Sequence, residues 1–330
     1  MCSQVANDIA ATLGAQAKAT LENSSAKYPL RLIEKEVLNG ETRRLRFRLP
    51  SEDHVLGLRA GQHVHLSARI RGQLVSRAYS PVSLPDARGF VDLLVKLYSS
   101  PRLLCHIRRP RVVRRLSSEA RGTCRVQFIH WSHECCSLGG QMSRHLDRLR
   151  IGAAVDFQGP SGRLAYVGHG LFEIDGVERR FQKVAMIAGG SGIAPMKQII
   201  GQVVRENVSS SPQLSLLFAN RVATIMQLCT LEIIVPFRAL DDVMLKRELD
   251  VIAEEFPQKL VHLWYTLETP PPGWPYSVGF VTESMLEEHL PPPSQDDTLL
   301  LLLCGPPGMV NACLLALDRL GYPQDARFVF

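Results

Sequence analysis

From Leu45 to Leu49 apolar and charged residues alternate strictly, Leu45-Arg46-Phe47-Arg48-Leu49, which predicts a strand with one buried and one wet face. A second strand is written by Val91, Leu93, Val95 and Leu97, apolar at every other position. Its opposite face, Phe90, Asp92, Leu94, Lys96 and Tyr98, is mixed and suits a ligand or solvent. Turn signals at Pro50-Ser51, Pro85-Asp86 and Gly159-Pro160 space such strands as in a small antiparallel barrel, expected over residues 28–167.

After that the period changes. Val184 to Ala188 is an apolar run that ends in Gly189-Gly190-Ser191-Gly192, and Ile199, Ile200, Val203 and Val204 then repeat at helical spacing. Leu214 to Ala219, Leu260 to Leu267 and Leu299 to Leu303 are further buried-strand runs. Helices are expected at Asp242 to Phe256, at Ser284 to Leu290 with Glu287 placed for a capping box, and at Met309 to Leu320, closed by Gly321. Strands that alternate with helices make a parallel sheet covered on both faces, so residues 168–330 predict a doubly wound nucleotide-binding domain. Its ligands belong at the C-terminal strand ends.

Composition narrows the class. With 330 residues and 45% hydrophobic content the chain can bury two cores, and a disordered chain is excluded. The formal charge of +6 is local: Pro101 to Leu138 holds eight Arg, two Glu and no Lys, so 8 − 2 = +6, and the remainder balances at 30 against 30. Pro110 interrupts any helix there and aromatics are few, so a solvated loop outweighs a nucleic-acid or acidic-lipid patch, and no nucleic-acid partner is expected. The eight Cys include no Cys-x-x-Cys pair, so no metal site is expected and a reduced, intracellular chain is the default reading. Residues 1–27 carry no leader pattern and read as a poorly ordered tail.

Candidate chemistry sits where strands end. In Arg77-Ala78-Tyr79-Ser80 an Arg can fork onto phosphate, a Tyr offers an aromatic face and a Ser can address a ring nitrogen; an ordinary exposed strand end is the plain alternative. Gly140-Gln141-Met142-Ser143 opens a helix whose first N–H groups, with the Ser hydroxyl, can hold a pyrophosphate, or the Ser simply caps it. Gly189, Gly190, Ser191 and Gly192, between strand and helix, let a dinucleotide approach the backbone. Cys304, Gly305 and Pro306 repeat that relation after the Leu-rich strand, where a soft Cys can line a nicotinamide or simply pack. Glu268 can accept from ribose hydroxyls and repel a 2′-phosphate, which favours NADH over NADPH; a surface Glu at a strand end is the plain alternative.

The order of these motifs, with Gly61-Gln62-His63-Val64, Tyr79-Ser80-Pro81-Val82-Ser83, Phe218-Ala219-Asn220 and the terminal Phe328-Val329-Phe330, resembles the ferredoxin-reductase-like flavoproteins and, among them, the NADH-cytochrome b5 reductase family. The resemblance implies an antiparallel FAD-binding β-barrel followed by a doubly wound parallel-sheet NADH-binding domain. It implies that Arg77 holds the FAD pyrophosphate, Tyr79 packs on the flavin and Ser80 stands where the family usually has a Thr bonded to the flavin's reactive nitrogen. Leu94 and Lys96 fall on the flavin-contacting strand, and Gly140 to Ser143 on the phosphate-gripping turn. Ser80 and Cys304 are the catalytic candidates. The implied reaction moves a hydride from NADH to FAD and then single electrons to the haem of cytochrome b5, in a monomer that serves fatty-acid desaturation and sterol synthesis. The implied location is cytoplasmic, peripheral at the endoplasmic reticulum or mitochondrial outer membrane, with membrane contact only through the partner or by weak peripheral association.

Two blocks interrupt the match, about 101–138 and about 222–240, the second with 13 of its 19 residues apolar. Both look like alternative-splice or gene-model insertions. Ala194 also replaces the Thr of the family's Gly-x-Thr-Pro turn. The alternative reading is a catalytically impaired variant of the same scaffold that acts as an interaction protein through its Arg-rich block.

Overall fold

The computed structural model describes residues 17–97, 140–206, 211–220, 243–293 and 298–330. The Arg-rich and apolar blocks lie outside the described residues. In the first half the chain forms β1 (Lys18–Ala19), β2 (Tyr28–Val37), β3 (Thr42–Arg48), β4 (His54–Val55), β5 (His63–Ile70), β6 (Gln73–Tyr79) and β7 (Phe90–Lys96). Helix α1 (Gln141–Arg148) and β8 (Ala154–Ser161) follow. Six strands pair antiparallel in the order β6-β5-β8-β2-β3-β7. The sheet closes on itself just past β6, where Pro81 bridges Leu93 and the Val82 N–H donates to the Asp92 carbonyl at 2.9 Å. The alternating pattern does what it predicts: Leu45, Phe47, Val91, Leu93 and Val95 fill the barrel, with Phe47 edge-on to Phe157 at 5.0 Å. Leu94, on the other face of β7, is buried in the second core instead.

The expected tail is shorter than residue 27. Lys18–Ala19 pairs with His54–Val55, the Thr20 N–H donates to the Val55 carbonyl at 2.8 Å, and Leu21 is buried in the barrel core. One apolar side chain and a few backbone bonds are enough to hold the segment down.

A three-stranded antiparallel unit, β9 (Leu164–Gly168), β10 (Leu171–Ile174) and β11 (Val177–Arg180), leads to the second half. There β12 (Lys183–Gly189), α2 (Ile193–Arg205), β13 (Gln213–Asn220), α3 (Lys246–Glu255), β14 (Leu260–Leu267), β15 (Ser277–Val278), α4 (Glu283–His289), β16 (Leu299–Cys304), α5 (Pro307–Arg319) and β17 (Arg327–Val329) build a parallel sheet in the order β15-β14-β13-β12-β16-β17. Alternate residues of β12 serve two cores: Val184, Met186 and Ala188 pack under α2 and α3, while Ala185 and Ile187 pack under α4 and α5. Burial on both faces explains the unbroken apolar runs. Helix α4 begins one residue before its expected start. Thr282 caps it, its hydroxyl accepting from the Met285 N–H at 3.3 Å, and Glu287 takes no part in the cap. Thr282 wins because its backbone is extended while Ser284 already lies inside the first turn.

Helix α2 is buried twice. Met196, Ile199, Ile200 and Val203 face the parallel sheet, and the stripe Ala194, Gln198, Gly201 and Arg205 faces the barrel side. A charged bridge supports the same junction: Glu248 on α3 pairs with Lys197 of α2 at 3.2 Å and with Arg44 of β3. Burial of Glu248 opposes ionisation, but Lys197 and Arg44 outweigh it and hold the carboxyl below its ordinary 4.5. A depressed folded pKa adds stability that is present at neutral pH and is lost as pH falls below the ordinary value through the folded one. We expect the urea midpoint of the native chain to exceed that of Glu248→Gln at neutral pH and to converge on it in acid; parallel curves across pH would refute the bridge.

Candidate functional site

The C-terminal ends of β12 and β16 face the rim of the barrel across a cleft of about 900 Å³. Arg77, Ala78, Tyr79 and Ser80, at the end of β6, form one wall together with Leu94 and Lys96 of β7 and the first turn of α1. Strand pairing brings them together: Tyr79 stands opposite Val64 on β5, and β7 closes the barrel just beyond Ser80. Arg77 is exposed, its guanidinium donating to the Ser76 carbonyl at 2.7 Å.

Gly140 takes a left-handed conformation, φ 75°, and starts α1 without a side-chain cap. Met142 points into the barrel core, and the Ser143 hydroxyl donates to the Gly140 carbonyl at 3.1 Å. That hydroxyl hydrogen is therefore committed locally, and anion-holding capacity at this turn comes chiefly from the backbone N–H groups of the first turn.

The opposite wall is two turns laid backbone on backbone. A Cβ on Gly192 would sit 2.2 Å from the Cys304 carbonyl oxygen. One on Gly189 would meet the Met309 sulfur at 2.6 Å and Pro306 Cδ at 2.9 Å, and one on Gly305 would fall 3.1 Å from Gly189 Cα. Three of these glycines therefore answer first to turn-on-turn packing rather than to a ligand. Gly190 is different: its φ of 55° is left-handed, and a Cβ there meets only ordinary contacts, Met244 Cε at 3.7 Å and Lys96 Nζ at 3.9 Å. Ser191 and Pro306 line the cleft beside them. Burial pushes the Cys304 thiol up to about 11, so it stays protonated at neutral pH and is a packing group, not a nucleophile.

Glu268 is placed elsewhere. It follows β14 on the same edge of the sheet, its N–H donating to the Asn220 carbonyl at 3.4 Å, so that β13 separates it from the Gly189 turn. The cleft also gathers residues not singled out as site candidates in the sequence: Gly61, His63, Gly162, Arg163, Leu164 and the Phe328 to Phe330 end. His63 is held below its ordinary 6.5 by burial and by the neighbouring His65, so a neutral imidazole faces the cleft. Its position in Gly61-Gln62-His63-Val64, just before a strand, was the available signal. Arg163 lies over the Phe328 ring at 5.3 Å, a pairing across the chain that no local pattern announces.

The chemistry of the walls suits a dinucleotide. Arg77, Lys96 and Arg163 contribute positive charge, helix starts contribute N–H groups, and no Asp or Glu side chain is among the described lining residues. No cluster of three metal-ligating side chains occurs among the described residues.

Comparisons with known proteins agree with this geometry. The family model for the oxidoreductase FAD-binding domain matches residues 29–166, and that for the oxidoreductase NAD-binding domain matches residues 186–314. NADH-cytochrome b5 reductase 2 of Xenopus tropicalis is 42% identical over 328 residues, covering 96% of this chain and 91% of the relative. The human protein of that name is 40% identical over 318 residues, covering 94% and 97%. Among solved structures, the cytochrome b5 reductase domain of Ulva prolifera nitrate reductase superposes with a TM-score of 0.73 at 26% identity, over 94% of this chain and 100% of that one.

The turn-on-turn contact predicts a contrast between glycines. Gly192→Ala should cost about 1–3 kcal/mol, since backbone atoms must move apart. Gly308→Ala, in the first turn of α5 with nothing within 4 Å of the added atom, should be neutral or mildly stabilising. Urea unfolding of both variants decides this, and equal midpoints would refute the packing role.

Proposed function

Since the chain belongs to the NADH-cytochrome b5 reductase family, we propose that it transfers electrons from NADH to cytochrome b5 through bound FAD. The observation that carries the reading is the cleft itself, in which a barrel rim and a glycine-turn edge face each other with positive charge and no carboxylate side chain on the described walls. FAD, when bound, supplies the capacity to accept a hydride and release electrons singly.

The rest is binding and orientation by this chain. Arg77 and the first-turn N–H groups of Gln141, Met142 and Ser143 hold the FAD pyrophosphate. Tyr79 covers the flavin face, Ser80 bonds a ring nitrogen, and Leu94 and Lys96 support the ring from β7. On the other wall Gly190 and Ser191 let NADH approach the backbone, the Gly189–Gly192 and Gly305–Pro306 turns shape the nicotinamide slot, and the neutral Cys304 thiol gives it a polarisable surface. Glu268, off the cleft but on the same sheet edge across β13, accepts from a ribose hydroxyl of an NADH that extends along that edge and disfavours a 2′-phosphate. Ser80 and Cys304 are the side chains assigned nearest the reacting atoms.

The acceptor is the haem of cytochrome b5, and the reaction serves fatty-acid desaturation and sterol synthesis. The chain acts as a monomer that reaches the endoplasmic reticulum or mitochondrial outer membrane through its partner. No helix among the described residues is long and apolar enough to cross a membrane. The blocks at 101–138 and 222–240 are splice-type insertions in this reading, and the Arg-rich one is not needed for the reaction.

Purified full-length chain should carry flavin absorbance that NADH bleaches and cytochrome b5 restores. A colourless protein with no NADH-dependent reduction of cytochrome b5 would overturn the reading. Arg77→Ala should keep the fold, because Arg77 is exposed, but bind FAD about tenfold more weakly, the scale of one lost charged hydrogen bond. Flavin content after dialysis measures it.

A further inference from the structure

The junction of α2 with the barrel contains one fully buried polar bond. Gln198 is 2% exposed, and its side-chain oxygen accepts from the Gly61 N–H at 2.8 Å. Gly61 lines the cleft on the barrel side, and its own φ of 96° wedges it against Leu164, whose Cδ2 lies 2.7 Å from where a Cβ would be. Ala194, one helical turn before Gln198, lines the cleft on the other side, and the Gly189–Gly192 turn leads directly into this helix. The bond thus ties a residue of one wall to the helix that carries the other.

The remaining contacts along this stripe fix less. Arg205 meets Asp86 at 2.6 Å, but both side chains are more than half exposed, and such pairs hold geometry weakly. Gly201 lets Leu84 pack closely, a contact without direction. Just past the end of α2 Glu206 accepts from the Tyr166 hydroxyl at 2.8 Å and from the His169 N–H at 3.1 Å, which holds that end to β9 and the turn after it. Only Gln198 couples depth, direction and nearness to the cleft. A hydrogen bond weakens steeply with angle, and a one-residue slide of a helix is about 1.5 Å, so the bond admits one register. A buried Gln in an apolar setting is otherwise a poor choice, since an apolar side chain would pack there without needing a partner.

We propose that Gln198 is a positioning residue for transfer across the cleft: through Gly61 it sets where the Gly189–Gly192 turn stands relative to the barrel wall. This rests on the reading that NADH and flavin meet there. A misplacement of reacting groups by about 1 Å can cost up to about a hundredfold in rate, so the seat of α2 is where such a loss would originate.

The test uses the full chain with Gln198→Met, similar in length and without the accepting oxygen, and Leu317→Ala on the far face of the sheet as a control for lost stability alone. In flavin-free protein, Gln198→Met should remove the exchange protection of the Gly61 amide. With flavin bound, its content and its affinity for NADH should be retained, while flavin reduction at saturating NADH slows about ten- to a hundredfold. Reoxidation of chemically reduced flavin by ferricyanide, which needs no nicotinamide alignment, should be unchanged. Leu317→Ala should unfold more easily and keep the native reduction rate. A native reduction rate in Gln198→Met, or equal slowing of both half-reactions, would overturn the proposal. A native chain whose flavin NADH does not reduce would overturn the functional reading instead, and the Gly61 exchange result would still decide whether Gln198 seats the helix.

Discussion

The cleft depends on a distance too short for any side chain. Gly192 approaches the Cys304 carbonyl so closely that a methyl group would stand 2.2 Å away, and Gly305 approaches Gly189 in the same manner. Adjacent parallel strands end side by side, so the turns that follow β12 and β16 compete for one space, and glycine is the residue that lets both have it. Because the turns nest, α2 and α5 both begin at one edge of the sheet. The Ile193 N–H already donates to the Gly190 and Ser191 carbonyls and Pro307 has no N–H, so this edge offers a ligand close backbone approach rather than a row of free donors.

The barrel answers this edge with complementary chemistry. Its core is filled by the inward half of each alternating strand, which leaves the outward half of β7 and the end of β6 to meet the second domain. Leu94 illustrates the division, buried among residues of the parallel-sheet core although its neighbours Leu93 and Val95 fill the barrel. Two titratable groups at the cleft are shifted by burial before anything else: His63 is kept neutral and Cys304 is kept protonated. Both shifts suit a place where a cofactor performs the electron chemistry and side chains do not ionise against it.

Between the halves, apolar packing supplies most of the adhesion and little of the direction. Apart from the exposed Arg205–Asp86 pair, the polar bonds described in the same interface, Gln198 to Gly61, Glu206 to Tyr166 and Arg44 to Glu248, are buried or partly buried, and these favour one register. Burial and the Glu206 carboxylate both raise the Tyr166 pKa, so the phenol remains a donor and the bond persists across neutral pH.

Much of this was legible in the chain. Alternation around Phe47 and Val91 located barrel strands, the apolar runs ending in Gly-rich turns located a parallel sheet, and the ordered motifs identified the family, with those at Arg77–Ser80, Gly140–Ser143, Gly189–Gly192 and Cys304–Pro306 meeting at one cleft, because local periodicity and short turns are written in adjacent residues. Other features join positions far apart and carry no local signature. Glu268 stands across β13 from the glycine turn because of strand order, and Arg163 finds Phe328 only when the chain has closed. Which elements form and which chemistry they carry follow from patterns among neighbouring residues. Why three of the glycines are required and how the two walls are held in register follow from the folded chain alone, since both depend on distances between backbones that sequence neighbours do not set.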